Sequence, residues 1–189
     1  MVLGILFGAA LLFGRPLQAQ TQLTLFAGGY FPTDKHGIEL LTRAATRRGS
    51  VAFGGRVTFW TSKAVGLEVT GGFSPARISR TTLAGRFPRS TNVAFGSGKV
   101  MLNLMPKTTG LTFLIGGGVG GVHAAKSVID PAQSETKIGG VGGVAFRLPF
   151  GENVALRGDL EDYLYNGNYG TGRKFTQDLV LSGGLSITF

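Results

Sequence analysis

Counting back from the last residue, every second position is apolar or glycine: Phe189, Ile187, Leu185, Gly183, Leu181 and Leu179. Between them stand Thr188, Ser186, Gly184, Ser182, Val180 and Asp178, which are mostly small or polar. Side chains on a strand point to opposite faces in turn, so this stretch reads as a strand with one greasy face. The pattern recurs upstream. Val51, Phe53, Gly55, Val57 and Phe59 alternate with Ala52, Gly54, Arg56, Thr58 and Trp60. Val65, Leu67, Val69, Gly71 and Phe73 alternate with Gly66, Glu68, Thr70, Gly72 and Ser74. Past the amino-terminal twenty residues no run of about 18 apolar residues exists, so helical spans are excluded there. In hydrocarbon every backbone N–H and C=O must find a partner, and strands meet that demand only as a closed barrel.

Turn signals divide the chain into eight alternating segments, at about 22–31, 50–61, 65–74, 92–104, 110–123, 137–148, 154–165 and 175–189. Long connections (32–49, 75–91, 124–136, 166–174) alternate with short ones (62–64, 105–109, 149–153). An even strand number with long and short connections in turn predicts an all-β fold, an eight-stranded antiparallel up-and-down transmembrane β-barrel. The fifth segment is apolar and Gly-rich on both faces, so its register stays open. Glycine totals 32 residues and recurs in pairs within strands, where it relieves crowding inside a narrow barrel.

Residues 2–13 are nearly all apolar or small, and Leu17-Gln18-Ala19 fits a small-residue cleavage site. The expected organisation is a signal peptide over 1–19 and a barrel domain over 20–189. No Lys or Arg precedes the apolar run, which leaves the α-amino group as its only positive charge. There are no cysteines, so disulfides and thiolate metal sites are excluded. The net charge of +9 would suit a polyanion. No recognition helix or aromatic-basic platform accompanies it, and an exported chain would not meet nucleic acid.

The polar faces place eight charges in the lumen: Arg56, Lys99, Arg147 and Arg157 against Glu68, Asp159, Glu161 and Asp178. Their sum is zero, as an enclosed set requires. Arg157 can pair with Glu68 and Asp159, and Arg56 with Asp178 or Glu161. A salt-bridged core is expected over a conducting path, because eight strands leave little bore. Asp162 breaks the lipid-facing side near the expected outer rim. Aromatics near strand ends suit an interface girdle: Tyr30, Phe31, Phe59, Trp60, Phe73, Phe150, Tyr163, Tyr165, Phe175 and Phe189. Some of them would face the lumen. The loop cations Arg77, Arg80, Arg86, Arg89, Arg173 and Lys174 are candidates for contacts with lipopolysaccharide phosphates.

No catalytic, cofactor or metal site is expected. His123, with Ser127 and Glu135 behind it, lacks the strand spacing that would aim a base, a nucleophile and an acid at one point. Residues Gly116 to Gly121 are Gly-rich but lack the Lys-Ser/Thr of a phosphate loop.

The stretch from Gly143 to Tyr163, with Phe146-Arg147-Leu148-Pro149-Phe150-Gly151 at its turn, resembles the late hairpin of small outer-membrane barrels of the OmpA/OmpX-like class. The tail resembles that class's assembly signal, with Ser182, Gly184, Ile187 and Phe189 in its slots. The resemblance implies insertion by the barrel-assembly machinery and residence as a single barrel among the lipids of a Gram-negative outer membrane. Members of that class stabilise the envelope, adhere or form narrow pores, so the resemblance does not select a role; with a closed, charge-paired lumen the expected role is structural, envelope-stabilising or loop-mediated. A narrow channel for ions or small solutes and a lipid-modifying enzyme are the alternatives, and a soluble barrel with inverted faces is a further rival.

Replacement of Phe189 by Ala should impair insertion in cells while leaving the lumen residues untouched. Membrane fractionation with a heat-modifiability gel checks this, and normal folded yield would remove Phe189 from the assembly signal.

Overall fold

The computed structural model describes residues 20–32, 35–36, 45–82, 85–106, 110–125, 134–168 and 173–189. Side chains are not described at 35–36, 45–48, 76–82, 85–91, 167–168 and 173–175. The described residues hold ten strands: β1 (Gln20–Pro32), β2 (Lys35–His36), β3 (Ala45–Arg48), β4 (Ser50–Trp60), β5 (Val65–Thr82), β6 (Gly85–Asn103), β7 (Thr112–Ala124), β8 (Glu135–Pro149), β9 (Val154–Asn168) and β10 (Arg173–Thr188). Eight of them form a ring in the order β1-β4-β5-β6-β7-β8-β9-β10, each antiparallel to its neighbours. The β1–β10 ladder closes the ring, from Gln22↔Thr188 to Pro32↔Asp178. The short strands β2 and β3 add to β5 beyond the ring. Among the described residues no helix occurs.

The two faces divide as the alternation predicts. Leu25, Val51, Val69, Val119, Ile138 and Leu185 point outward and are exposed, while Gln22, Thr24, Thr58, Ser182 and Ser186 point inward and are buried. A shift of one residue in any ladder would turn the greasy side into the lumen, so the pattern fixes register. The fifth segment, open in sequence, is settled by packing. Leu114, Val122 and Ala124 of β7 are buried, whereas Phe113, Ile115 and Val119 face out.

Glycine makes the narrow interior fit. A Cβ on Gly72 would lie 2.3 Å from the ring of Phe95, so that ring occupies the space a side chain would take. Gly118 meets backbone instead: its Cβ would fall 2.0 Å from the carbonyl oxygen of Gly98. Some outward glycines differ: Gly71, Gly98 and Gly140 have nothing within 4 Å of an added Cβ, whereas a Cβ on Gly158 would lie 2.3 Å from the ring of Phe146.

One expectation needs correction. The connection 75–91 is not a loop. β5 and β6 continue as a paired hairpin to Thr82↔Gly85. The prolines that suggested a loop sit where a donor is not required. Pro75 lies in the gap between the β4 ladder, which ends at Phe53↔Phe73, and the β3 ladder, which begins at Arg48↔Arg77. Pro88 lies above the β7 ladder, which begins at Val93↔Ala124, so β6 has an open edge there. The girdle aromatics divide between lumen and lipid, as expected. Tyr30, Tyr163 and Tyr165 are buried in the lumen, while Phe31, Phe59, Phe73, Phe150 and Phe189 face out. Trp60 packs partly buried at the inner mouth, and the side chain of Phe175 lies outside the described residues. The expected signal peptide over 1–19 also lies outside them.

Gly118→Ala should lower unfolding stability by roughly 1–3 kcal/mol, the range for overpacking a filled site. Gly140→Ala should be close to neutral. Urea titration of the detergent-folded protein, followed on a heat-modifiability gel, separates the two. Equal midpoints would contradict the close backbone approach at Gly118.

Candidate functional site in the barrel lumen

Three cations and three anions meet at mid-height of the lumen. They are Arg56 from β4, Glu68 from β5, Lys99 from β6, and Arg157, Asp159 and Glu161 from β9, all buried. Successive odd positions of β9 share one face, which is why a single strand supplies three of them. Each cation bridges two anions. Arg157 Nη1 lies 2.6 Å from Glu68 Oε2 and its Nη2 lies 2.7 Å from Asp159 Oδ1. Arg56 Nη1 lies 3.4 Å from Asp159 Oδ2 and its Nη2 lies 3.2 Å from Glu161 Oε2. Lys99 Nζ lies 3.0 Å from Glu68 Oε1 and also bonds Glu161. The bridges run Arg157, Glu68, Lys99, Glu161, Arg56, Asp159 and back to Arg157. This is a closed ring of alternating charge.

Hydroxyls from the same face complete the ring. Thr58 donates to Glu68 Oε2 at 2.7 Å, and Arg56 Nη2 donates to Ser182 at 2.9 Å. The ring of Phe26 lies 4.0 Å from the Arg56 guanidinium carbon, a cation–π contact on its outer side. Above it the lumen is filled by an apolar and aromatic cluster that includes Phe26, Tyr30, Phe95, Val122, Tyr163 and Tyr165. Tyr30 stacks on Phe95 at 6.0 Å, and Tyr163 meets Phe95 edge-on at 5.8 Å. Below the ring, Met101, Leu114 and Ala145 pack with Trp60 toward the inner mouth.

The ring takes six of the eight residues expected in the lumen. Asp178 is not the partner of Arg56. It accepts the hydroxyls of Tyr30 and Tyr165 within the outer cluster. Arg147 is half-buried at the inner mouth, where its Nη2 donates to Thr188 at 3.4 Å. Lys137 was missed. It is buried at the outer mouth, 3.4 Å from Glu135 and 5.0 Å from the ring of Tyr165. Its signal was parity, since it stands ten residues before Arg147 on one strand and so shares its face. With Lys137 in place of Arg147, the buried charges among the described residues are again four cations and four anions.

The other candidate residues fall elsewhere. Of the tail signal, Ser182 is buried against Arg56, and a Cβ on Gly184 would lie 2.2 Å from the Leu25 carbonyl oxygen. Ile187 and Phe189 face out. Asp162, which breaks the apolar face, is half-buried on the outer wall and accepts a 3.4 Å hydrogen bond from Gln177. His123 is exposed and bonds Thr136 at 2.8 Å, whereas Glu135 occupies the opposite parity on β8 and pairs with Lys137. The two do not converge, and Ser127 lies outside the described residues. Among the described residues no group of three His, Asp or Glu is placed to hold a metal ion. Arg77, Arg80, Arg86 and Arg89 lie on the β5–β6 hairpin and Arg173 and Lys174 at the start of β10, with their side chains outside the described set.

No protein-family model matches the chain, and no curated protein matches it in sequence. Solved structures do. The crystal structure of OprG from Pseudomonas aeruginosa superposes with a TM-score of 0.69 at 14% identity, over 90% of this chain and 96% of that one. Neisserial surface protein A gives 0.57 at 13% identity, over 90% and 97%. Ail of Yersinia pestis, in complex with the heparin analogue sucrose octasulfate, gives 0.54 at 12% identity, over 90% and 99%. The fold is therefore that of the small eight-stranded outer membrane β-barrels.

Arg157→Leu should cost roughly 3–5 kcal/mol in detergent, because it leaves the buried ring one cation short, with Glu68 held by Lys99 alone and Asp159 by Arg56 alone. The double variant Arg157→Leu with Glu68→Gln should recover part of that loss. Urea unfolding checks both. Additive losses in the double variant would show that the bridge carries no coupling.

Proposed function

We propose that this chain is an integral outer membrane barrel whose lumen is a structural core, and that it acts on the envelope through its outer end. The observation that carries this reading is the closed ring of charges, spanned from β9 to β4, β5 and β6, with the aromatic cluster stacked on it. An ion crossing that level would have to part bridges whose members are buried and hydrogen bonded. Each separated charge would cost several kcal/mol away from water. The outward surface suits lipid, with leucine, valine, isoleucine and phenylalanine exposed on all eight barrel strands. In this reading the chain is exported by a signal peptide cleaved after Ala19. It is inserted by the barrel-assembly machinery through the tail that ends at Phe189.

A conducting lumen is the rival that needs a direct test. The folded protein in planar bilayers should give no stepwise current at moderate voltage. A variant that dismantles the ring and keeps it neutral, Arg56→Ala with Glu161→Ala, should begin to leak. Stepwise currents in the unmodified protein would replace the sealed-core reading with that of a narrow channel. A lipid-modifying activity lost on His123→Ala would replace it with an enzyme.

A further inference from the structure

The outer wall of the barrel is not smooth. A groove of about 690 Å³ crosses it from β7 to β1. Its floor follows one row of the ladders, Phe113↔Phe146, Phe146↔Gly158 and Gly158↔Gly183, and it ends at Gly29. Leu156 lines one side of the row, and Leu160 and Leu181, partners on β9 and β10, line the other. The floor is low for two reasons. A Cβ built on Gly183 would meet nothing within 4 Å, so that position is open. The ring of Phe146 lies over Gly158, and therefore along the wall rather than away from it. Arg157, Asp159 and Ser182 also border the groove, but their side chains turn inward to the lumen ring. The side chains that wall it are thus hydrocarbon.

Hydrocarbon gains nothing by moving from lipid to leucine, so apolarity alone selects no occupant. Packing selects one. Each wall carbon that faces a gap forfeits the attraction of the neighbours it lacks, and the loss adds up along both ridges. A polar occupant would find no side-chain partner between them. A second copy centred on the groove about a two-fold axis would set groove against groove and enclose the gap instead of filling it. Length is the remaining criterion. Four strand spacings of about 4.8 Å make the groove roughly 19 Å long, and one leaflet of hydrocarbon is about 15 Å deep. A single extended chain covers most of that length. The groove is also continuous with the exposed apolar belt, through Ile115, Val144 and Leu185.

We propose that this groove is a fixed site for one acyl chain of the surrounding lipid, laid obliquely across the wall over Gly183, between Leu156 and the Leu160–Leu181 pair. The chain there exchanges more slowly than the lipid around the rest of the belt. The inference deepens the proposed function and rests on it for the placement of the barrel in a membrane.

Photolabelling of the folded full chain in phosphatidylcholine vesicles tests this, with a fraction of the lipid carrying a mid-chain diazirine. Mass spectrometry of the digest locates the adducts. Leu156, Leu160 and Leu181 should be labelled about threefold more than Val69 and Val100, which are equally exposed on β5 and β6; that factor is the scale of a handful of gained contacts. Gly183→Leu fills the floor where a Cβ has room, so it should fold and abolish the preference. Gly140→Leu, at an equally open glycine outside the groove, should leave the preference intact. Retention of the heat-modifiability shift shows that each variant is folded. Even labelling around the belt would overturn the proposal, as would an undiminished preference in Gly183→Leu. The chain has no cysteine, so Leu181→Cys introduces a single thiol. Its rapid oxidation to a disulfide dimer in the same vesicles would give the groove to a second copy and reject the lipid. Failure of the unmodified chain to enter vesicles would overturn the membrane placement itself, a result distinct from even labelling.

Discussion

Burying an ion costs several kcal/mol unless opposite charge and hydrogen bonds surround it, and six ions sit at mid-height of this lumen. Two of their bridges are local. Glu68 and Lys99 are cross-strand neighbours on β5 and β6, and Arg157 and Asp159 stand two apart on β9. An open sheet could form these two pairs and would leave Arg56 and Glu161 alone. The other four bridges link β9 to β4, β5 or β6. In the ring of eight strands β9 stands four places from β5 in either direction, so those bridges cross the lumen. Neutralising the interior and closing the barrel are therefore one event. The electrostatic cost of a partly closed barrel acts as a cooperative term that the lipid-facing side chains alone would not provide.

The ring depends in turn on what seals it. Low local polarity strengthens a satisfied network and penalises an unsatisfied one. The aromatic cluster excludes water from the outer side, and Phe26 covers Arg56 directly. Large rings fit into so narrow a bore only where a nearby strand has no side chain, as at Gly72 beside Phe95 on the adjacent strand and Gly120 beside Tyr163 two strands away. Glycines that weaken single strands thus permit the cluster that holds the ring dry. The loss in strand propensity is offset by closure, which pairs every ladder.

Much of this was legible because a period of two survives lipid on one side and a packed lumen on the other. Both faces of β4, β5, β8, β9 and β10 follow from it. Membership of the lumen was readable for Arg56, Glu68, Lys99, Arg157, Asp159 and Glu161, since a charge on the inner face has nowhere else to go. Connectivity was less so. Which carboxylate Arg56 meets depends on strand stagger, and stagger places Asp178 a layer higher, among tyrosines. Lys137 was lost at a segment boundary. β7 was ambiguous because Gly116, Gly117, Gly118, Gly120 and Gly121 mark neither face. The β5–β6 extension escaped notice because Pro75 and Pro88 imitate loop chemistry, and because its greasy face gives way to arginine once the strands leave the belt.

Charge is segregated along the chain, and this links lumen to surface. Between Glu68 and Asp130 the sequence carries only cations, while Asp159, Glu161, Asp162 and Asp178 cluster on β9 and β10. Inside the barrel the segregation is useful. The cations of β4 and β6 face anions presented from across the lumen, so compensation demands the closed form. Beyond the rim the same segregation has the opposite effect. β9 and β10 pair with each other up to Arg173↔Asn168, on the side of the ring away from β5, and end in cations at Arg173 and Lys174. The arginines of β3, β5 and β6 are then removed from the carboxylates that balance Arg56 and Lys99. The described chain is thus neutral in its lumen and basic along β3, β5 and β6 beyond it.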